Sequence, residues 1–224
     1  MTVGDIIKAV RWCYDEEQMD SADFGNASSN DNTLMDNIIK SKIGDAVRWI
    51  CLYCAPEILG GSDDDEEETG IMKDAEGTPS AIGQTGGGTL TMPDDFIRLV
   101  RVRAEGWHRA VREPFAEDSD EYLQLYDSNG AAATVDRPQA AIIDKTKKEI
   151  EVWPKGSGQV EYTYIAQPDI TDDDISSADD VVALPPRAKT AFIYYLAFLV
   201  LSAYEDSRAA RMLEIAKMNT GRNG

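Results

Sequence analysis

The longest apolar run of the sequence lies close to its C-terminal end and constrains the fold more than any other feature. It reads AFIYYLAFLVLSAY, from Ala191 to Tyr204, and follows Leu184-Pro185-Pro186. Proline is tolerated in the first turn of a helix, so the run predicts a long helix that starts near these prolines. It is shorter than the roughly 20 residues that span a bilayer. We therefore expect a helix buried in the protein or against a neighbouring subunit, where each large apolar side chain contributes roughly 1.5–3 kcal/mol.

Composition argues against several classes of function. A chain of 224 residues with 42% apolar residues can bury a core without disulfides. Its formal net charge of −19 argues against binding to nucleic acid or to an anionic membrane, because both need a basic surface. Charged residues inside the first apolar pattern argue against a signal peptide. Three cysteines, an odd number without a disulfide framework, favour synthesis in a reducing cytoplasm.

Two amphipathic patterns predict helices in the N-terminal third. Apolar residues at helical spacing predict a first helix over residues 2–18. A second pattern of the same spacing covers residues 35–53 and ends before Pro56. Residues 20–32, between the two patterns, are rich in Ser, Asn, Asp and Gly, which is typical of a loop. The two helices are expected to form an antiparallel hairpin.

The middle of the chain predicts a β-rich part. Val100 and Val102 alternate with Arg101 and Arg103, which is the period of a half-buried strand. Further segments show strand patterns separated by turn residues, and this favours an antiparallel meander. The predicted strands are Ala140–Ile143, Glu149–Trp153 and Val160–Ile165, and a short helix is predicted at Glu117–Asp127.

Two acidic segments flank the β-rich part. Asp63–Glu68 is an unbroken run of carboxylates, and like charges ~4 Å apart repel by about 1 kcal/mol even in water, so an exposed, mobile loop is expected there. The fold class that follows is α+β, with a helical bundle (an N-terminal helix hairpin plus the long C-terminal helix) and an antiparallel β-rich insertion. The predicted divisions are the bundle with a C-terminal extension at 1–60 and 184–224, an acidic, Gly-rich loop at 61–88, the insertion at 89–168 and an acidic linker at 169–183.

Several motifs occur in order along these parts. A Pro-x-Asp/Glu-Phe element precedes the first predicted strand, and an Ile-x-Val-x-Pro hairpin and a Val-x-Tyr-x-Tyr strand follow. The residues concerned are Met92, Pro93, Asp94, Asp95, Phe96, Leu99, Val100, Val102, Gly106, Pro138, Ile142, Ile150, Val152, Trp153, Pro154, Val160, Tyr162, Tyr164 and Pro168, and the segments LPPRAKTAFIYYLAFLVLSAYED and RAARMLEIAKMN come after them. This arrangement resembles the head-to-tail adaptor, or connector, proteins of tailed bacteriophages, a family that combines a helical bundle with a β-rich insertion and has a closing helix and an extension similar to the last two segments.

The resemblance implies a structural protein of the virion neck, made and assembled in the host cytoplasm. It implies a homo-oligomeric ring that matches the twelve-fold symmetry of the portal, binds the portal protein and offers a platform to the tail or to further neck proteins. Such a ring would line the DNA channel. Its acidic side chains would repel the phosphate backbone within ~8 Å of the wall, so DNA would pass during ejection without specific binding. No contact with a membrane is expected.

Two sets of residues are candidate contacts in such an assembly. Five arginines either meet acidic patches of a neighbouring copy or balance carboxylates of their own chain, and the sequence leaves both open. The basic and apolar C-terminal segment is expected to be frayed in the free protein and to order against the portal. The candidate inter-subunit contacts are Arg98, Arg101, Arg103, Arg109 and Arg112, and the candidate portal-docking residues are Arg208, Arg211, Met212, Ile215 and Lys217.

The remaining motifs favour packing or loops over chemistry. Cys51 and Cys54 have the spacing of a redox or zinc pair, but no second pair follows, so core packing is favoured. His108 has no nucleophile in a recognisable setting. The acidic run lacks the spacing of a calcium loop, and Gly86-Gly87-Gly88 lacks the Lys-Ser/Thr of a phosphate loop and favours a flexible approach to the next strand. We expect no enzyme, no cofactor and no metal.

Two other functions are compatible with the sequence. One is a different ring protein of the neck or a tail-completion protein, and the other is an acidic regulatory binding module outside the virion. An enzyme is the weakest alternative, because it would depend on His108 alone.

Overall fold

The computed structural model describes residues 1–15, 29–60, 71–82, 86–127, 133–144, 148–171 and 173–222. The chain divides into two compact units, and each is described by itself. Unit 1 consists of Met1–Ile71 and Pro168–Gly224, and unit 2 of Met72–Gln167. The described residues form six α-helices and two β-sheets, so the mixed α+β class is confirmed. Among these residues, no helix combines the length and the apolar character needed to cross a membrane.

Helices build unit 1. The amphipathic faces predicted for the first two helices pack on the apolar helix α5, because Ile6, Val10, Ile39, Ile43 and Ile50 are all fully buried. Helix α2 begins at Ser29, inside the predicted loop, while residues 20–28 of that loop lie outside the described part of the chain. The helices are α1 (Val3–Asp15), α2 (Ser29–Tyr53), α3 (Pro56–Leu59), α5 (Lys189–Ala203) and α6 (Ala209–Met218), and α4 (Asp120–Asp127) belongs to unit 2.

The apolar run forms helix α5, as predicted, and one face of the helix is buried. Phe192, Leu196 and Val200 have no exposed surface. The expected closing helix and its extension are two separate helices, α5 and α6, with a turn between them. Glu205 takes a positive φ of 55° there, and the Asp206 carboxylate accepts a hydrogen bond from the backbone N–H of Arg208 at 2.9 Å. This carboxylate pairs an N–H group that the start of α6 would otherwise leave unpaired, which favours the start of a new helix over the continuation of α5.

Helix α6 also corrects the expectation of a frayed C-terminal segment. It contacts α5, and its Met212 and Ala216 side chains are buried in unit 1. The backbone N–H of Ala55 donates to the carbonyl of Thr220 at 2.7 Å, so the chain remains attached beyond the end of α6. The apolar residues of this segment recur at helical spacing and form a face that packs on α5, which explains why the segment is ordered.

The predicted linker 169–183 lies against the start of α1. The backbone N–H groups of Val3 and Gly4 donate to the carbonyls of Asp180 and Ala178, each at 2.8 Å. Two of the four N–H groups that every helix leaves unpaired at its N-terminus are satisfied in this way. A Cβ at Gly4 would lie 3.2 Å from the Ala178 carbonyl oxygen, so the absence of a side chain permits the close approach.

Unit 2 contains two β-sheets that share one apolar core. One sheet has the order β1-β8-β4, and the other has the order β2-β3-β7-β6-β5. The three strands predicted in the second half of the unit are confirmed, and each of their ends agrees with the prediction to within one residue. The strands are β1 (Met72–Gly77), β2 (Ser80–Ala81), β3 (Gly88–Thr91), β4 (Phe96–Ala104), β5 (Phe115–Ala116), β6 (Gln139–Asp144), β7 (Glu149–Trp153) and β8 (Val160–Ala166).

Two expectations for this part are wrong. The loop predicted at 61–88 contains β1 and β2, although its acidic run, residues 63–68, lies outside the described residues. The meander ends at β7, because β8 lies between β1 and β4 in the other sheet, and β5 pairs with β6 in parallel. Strand β8 is buried at six of its seven positions, and a strand buried on both faces belongs in the middle of a sheet.

The glycines before β3 have a packing role. A Cβ at Gly87 would lie 2.7 Å from the indole ring of Trp153, a distance that real Cβ contacts do not show. Trp153 is itself 1% exposed. The expectation of a flexible approach is therefore wrong for Gly87 and Gly88, since Gly87 makes room for a core tryptophan and Gly88 begins β3.

Candidate assembly surfaces

One face of the three-stranded sheet carries charged side chains from each of its strands. Asp74 of β1, Thr163 of β8 and Arg101 of β4 lie side by side in one row across the sheet. Two residues further along each strand, Glu76, Glu161 and Arg103 form a second row. Side chains two residues apart on a strand share a face, so both rows lie on the same side of the sheet. These residues line a depression of about 360 Å³. We call Asp74, Glu76, Arg101, Arg103, Glu161 and Thr163 the charged sheet face.

The charged sheet face pairs its groups within the chain. The Nε of Arg101 donates to the hydroxyl of Thr163 at 2.8 Å, and that hydroxyl donates to Asp74. A guanidinium nitrogen of Arg101 lies 3.7 Å from the Asp74 carboxylate, and the Nε of Arg103 donates to the Trp107 carbonyl at 3.3 Å. The Arg101 and Asp74 side chains are more than half exposed, and exposed ion pairs contribute about 0–1 kcal/mol.

The structure does not gather all five predicted arginines. Arg101 and Arg103 lie on the charged sheet face, whereas Arg98 is half-buried nearer the start of β4. Arg109 and Arg112 are exposed in the segment after β4, on either side of Val111, which forms an isolated bridge with Val102. Whether any of them contacts a neighbouring copy stays a prediction.

The carboxylates that face these arginines were not predicted from the sequence. Asp74 and Glu76 belong to β1, a strand whose sequence, MKDAEG, lacks the alternation of large apolar residues that marks a strand. The only available signal was charge alternation with Lys73, which a loop shows equally well.

The Pro-Asp-Asp-Phe element of the resemblance has a structural role at the start of β4. Asp95 accepts hydrogen bonds from the Lys73 ammonium at 2.7 Å and from the Tyr164 hydroxyl at 3.1 Å. Burial acts to raise the pKa of Asp95, but these two bonds, the charge of Lys73 and a backbone hydrogen bond together leave the pKa below its ordinary value. Burial, with the hydrogen bond to Asp95, raises the pKa of Tyr164 to about 12. Asp95 thus links β1, β4 and β8 as a carboxylate.

A buried carboxylate lies in the five-stranded sheet. Glu151 is 7% exposed, and it accepts hydrogen bonds from the Tyr122 hydroxyl at 3.3 Å and from the Trp153 indole N–H at 3.2 Å. Burial raises the pKa of Glu151; the two bonds lower it, and the charges of Glu117 and Glu149 raise it further. Glu151 connects β7 with helix α4.

His108, Cys51 and Cys54, the three residues with possible chemistry, lie apart from both the charged sheet face and any metal-binding cluster of the described residues. The His108 ring nitrogen lies 2.5 Å from the Asp136 carboxylate, and both side chains are about 70% exposed. Cys51 and Cys54 are buried in α2 and just after it. Among the described residues, no group of three or more His, Cys, Asp or Glu side chains is arranged to hold a metal ion.

Unit 1 carries an open groove between α2, α5 and α6. The rings of Trp49 and Tyr195 stack on its floor with centroids 4.1 Å apart and planes at 8°, and Phe198 lies next to Tyr195 at 5.4 Å. Burial raises the pKa of Tyr195. The groove has a volume of about 770 Å³. We call it the aromatic groove; Leu52, Tyr53, Leu199 and Leu213 line its apolar part, and Asp45, Arg48, Lys217 and Arg222 contribute its charged groups.

The candidate portal-docking residues have different environments. Arg208 pairs with Asp206 at 2.8 Å, and its hydrogen bonds lower the pKa of Asp206 to about 2. Met212 is buried in unit 1 and therefore serves packing rather than a surface contact. The other three lie on or near the surface of α6: Arg211 exposed, Ile215 half-buried and Lys217 exposed beside the aromatic groove.

Comparison with known families identifies the class of protein to which the chain belongs. The sequence profile of the SU10 adaptor protein family matches residues 1–223. The chain belongs to the SU10 adaptor protein family. The predicted relationship to the head-to-tail adaptors of tailed phages is thereby confirmed. As a member of an adaptor family, this SU10-family adaptor is a phage structural protein and a component of the virion that contacts other head or tail proteins.

The family match covers both units of the SU10-family adaptor, including the parts that carry the aromatic groove and the charged sheet face. No protein of curated function matches the sequence. The family therefore identifies the class of protein, and the surfaces described above provide the basis for a more specific proposal.

Proposed function

We propose that this adaptor assembles into a homo-oligomeric ring between the portal and the tail, with the twelve-fold symmetry of the portal, and lines the channel through which DNA is ejected. The observation that carries the proposal is the family match over residues 1–223. An adaptor has to contact a protein on each of two sides, which a ring of identical copies accomplishes with one gene product.

The surface of unit 1 supports assembly. The aromatic groove leaves Leu52 and Tyr53 39% and 51% exposed beside a stacked tryptophan and tyrosine. Aromatic residues in partly open pockets are enriched where proteins bind one another. The packing of α5 against α1, α2 and α6 agrees with a helical bundle in unit 1, which would present this groove on a rigid scaffold.

The net charge supports the channel role. Each copy has 41 acidic and 22 basic residues, and a ring multiplies the resulting charge of −19 by its number of copies. Carboxylates on the channel wall repel phosphates within roughly one Debye length, ~8 Å at physiological salt, whereas basic residues would hold DNA by counterion release. A negative wall lets DNA slide without adhering.

The proposed role needs no catalysis and no cofactor. Assembly and passage of DNA depend on surface shape and charge, which the chain supplies with its own side chains. We assign the portal-facing contact to Arg211, which is exposed on α6, and to the half-buried Ile215. Arg109 and Arg112, which are exposed in the segment after β4, are assigned to contacts between copies.

The experiment is reconstitution with the portal protein encoded by the same phage. Mass photometry of the adaptor alone, of the portal alone and of the mixture, followed by electron cryomicroscopy, measures the number of copies and their position. A closed adaptor ring beneath the portal is expected. A ring that joins the tail and never the portal would indicate a tail-completion protein, and a monomer in all mixtures would refute the proposal. The same ring should appear in purified virions.

A further inference from the structure

The aromatic groove is lined by apolar and aromatic side chains and by charged side chains that are mostly basic. Among the described residues that line it, Arg48, Lys217 and Arg222 are cations, and Asp45 is the one anion. This balance is opposite to that of the whole chain, which carries 41 acidic and 22 basic residues. A groove with these properties suits an apolar side chain flanked by carboxylates, because the carboxylates face the cations while the apolar side chain enters the aromatic base.

Helix α4 of unit 2 has the complementary surface. Its inner side chains, Tyr122 and Leu125, are buried, whereas Leu123 is 52% exposed, more than any other large apolar side chain in the described part of unit 2. Asp120 and Asp127 are exposed and lie three residues before and four residues after Leu123, so they share its helical face. The face therefore presents one leucine between two carboxylates.

Helix α4 is also short and well anchored. Ser119 caps it by accepting a hydrogen bond from the backbone N–H of Tyr122 at 3.2 Å, and the Tyr122 hydroxyl donates to Glu151. Eight residues in α-helical form span about 12 Å. A groove of about 770 Å³ accommodates part of such a helix. A preformed helix loses little conformational entropy on binding.

We propose that the α4 face of one copy, with Leu123 at its centre, docks in the aromatic groove of the adjacent copy. The inference rests on the proposed ring, because two different complementary surfaces on one subunit make a head-to-tail contact that closes when the rotation between copies allows it. Leu123 contacts the apolar base near Leu52 and Tyr53, and Asp120 and Asp127 face Arg48 and Lys217.

The first experiment is cross-linking between two separately purified variants. Leu123→Cys and Leu52→Cys are mixed under the conditions in which the ring forms and treated with a short bis-maleimide. A cross-linked dimer is expected only in the mixture, since each molecule carries one half of the pair. The matched control replaces Leu52→Cys with Leu34→Cys, which alters a 59% exposed leucine in unit 1 outside the groove. Wild-type protein controls for the native cysteines.

The second experiment exchanges charges. The double variant Arg48→Glu/Lys217→Glu is expected to raise the Kd of assembly at least about tenfold, which corresponds to about 1.4 kcal/mol. The reciprocal double variant Asp120→Lys/Asp127→Lys is expected to do the same. A mixture of the two is expected to assemble with the two variants alternating, because each groove then meets a helix α4 of opposite charge. Circular dichroism verifies that each variant is folded.

The outcomes separate this inference from the proposed function. If the ring forms but Leu123→Cys and Leu52→Cys do not cross-link, or if both charge-reversal variants still form the ring, the inference is overturned and the proposed ring stands. Cross-linking without closure into a ring supports the contact and overturns the proposed ring. Reversals that abolish portal binding while the ring persists assign the groove to the portal and also overturn the inference.

Discussion

The charged sheet face and the aromatic groove are both accessible surfaces, but they differ in how far their groups are satisfied within the chain. On the sheet face, Arg101 already has Thr163 and Asp74 as partners, so this arginine has little left to offer another molecule. The groove leaves aromatic and aliphatic surface open to water beside a stacked pair of rings. Desolvation of apolar surface drives most protein association, so the groove is the stronger candidate for assembly although the arginines were more prominent in the sequence.

The largest effect on stability is expected from a change in α5, the helix that supports the aromatic groove. Phe192 is fully buried in α5, and Phe192→Ala would remove its packing and leave a cavity, at a cost of about 3–5 kcal/mol. Urea unfolding followed by circular dichroism measures the change. Met218→Ala, at a side chain that is 72% exposed on α6, is the control and should change stability by no more than about 0.5 kcal/mol. Equal effects would mean that α5 is not the core helix of unit 1.

A smaller effect is expected from Gly87→Ala, which tests packing in unit 2. The added Cβ would overlap the Trp153 ring and cost about 1–3 kcal/mol. Gly44→Ala is the matched control, because a Cβ there meets nothing within 4 Å and alanine favours a helix over glycine by about 1 kcal/mol. The two substitutions should therefore shift the thermal midpoint in opposite directions. Stabilisation by both would refute the proposed role of Gly87.

Glu151→Gln distinguishes buried from exposed charge. Burial raises the pKa of Glu151 above the ordinary 4.5, so the folded protein binds a proton that the unfolded chain releases. Stability is therefore lost as the pH rises above 4.5 and through the folded pKa, and the loss is complete above that value. Glu151→Gln should be stabilised relative to the wild type at pH 7 and not at pH 4.

Unfolding measured from pH 4 to 8 tests this prediction. Glu76→Gln, at an exposed glutamate of the charged sheet face, is the control and should change the pH profile less. If Glu151→Gln lowers stability at neutral pH, the ionised carboxylate would be the favourable form, contrary to the burial argument.

The smallest effect is expected on the charged sheet face itself. Arg101→Ala should cost no more than about 1 kcal/mol, because the pair with Asp74 is exposed and solvated. If the face contributes only within the chain, assembly should be unchanged. Analytical ultracentrifugation of Arg101→Ala beside Arg109→Ala tests this. A large loss of assembly with Arg101→Ala alone would reverse the ranking of the two surfaces.

Local patterns predicted most elements and failed where two patterns compete. The alternation in β7 and β8 predicted both strands, since burial of alternate or all side chains is visible in the sequence. Strand β1 was missed because five of its six residues are charged, small or glycine, and only pairing with β8 makes it a strand. The turn between α5 and α6 has no local signal, because Tyr204-Glu205-Asp206 carries neither glycine nor proline, and only the resemblance divided the two segments there.

The candidate sites show the same limit. The sequence pointed to arginines and to basic residues near the C-terminus because charge is visible residue by residue. It did not indicate the aromatic groove, whose walls come from α2, α5 and α6, or the carboxylates opposite Arg101 and Arg103. Contacts between residues far apart in sequence depend on which elements pack together, and a single sequence does not encode that in a local pattern.

The sequence by itself determined the α+β class, the family, the position of most helices and strands, and the burial of the C-terminal apolar helix. Each of these depends on apolar periodicity or on motifs within a short window. Only the tertiary structure decided which strands share a sheet, which charges are neutralised within the chain and which apolar surface stays exposed. The physical reason is that pairing and burial are properties of surfaces brought together from distant segments, and they are established only when those segments pack.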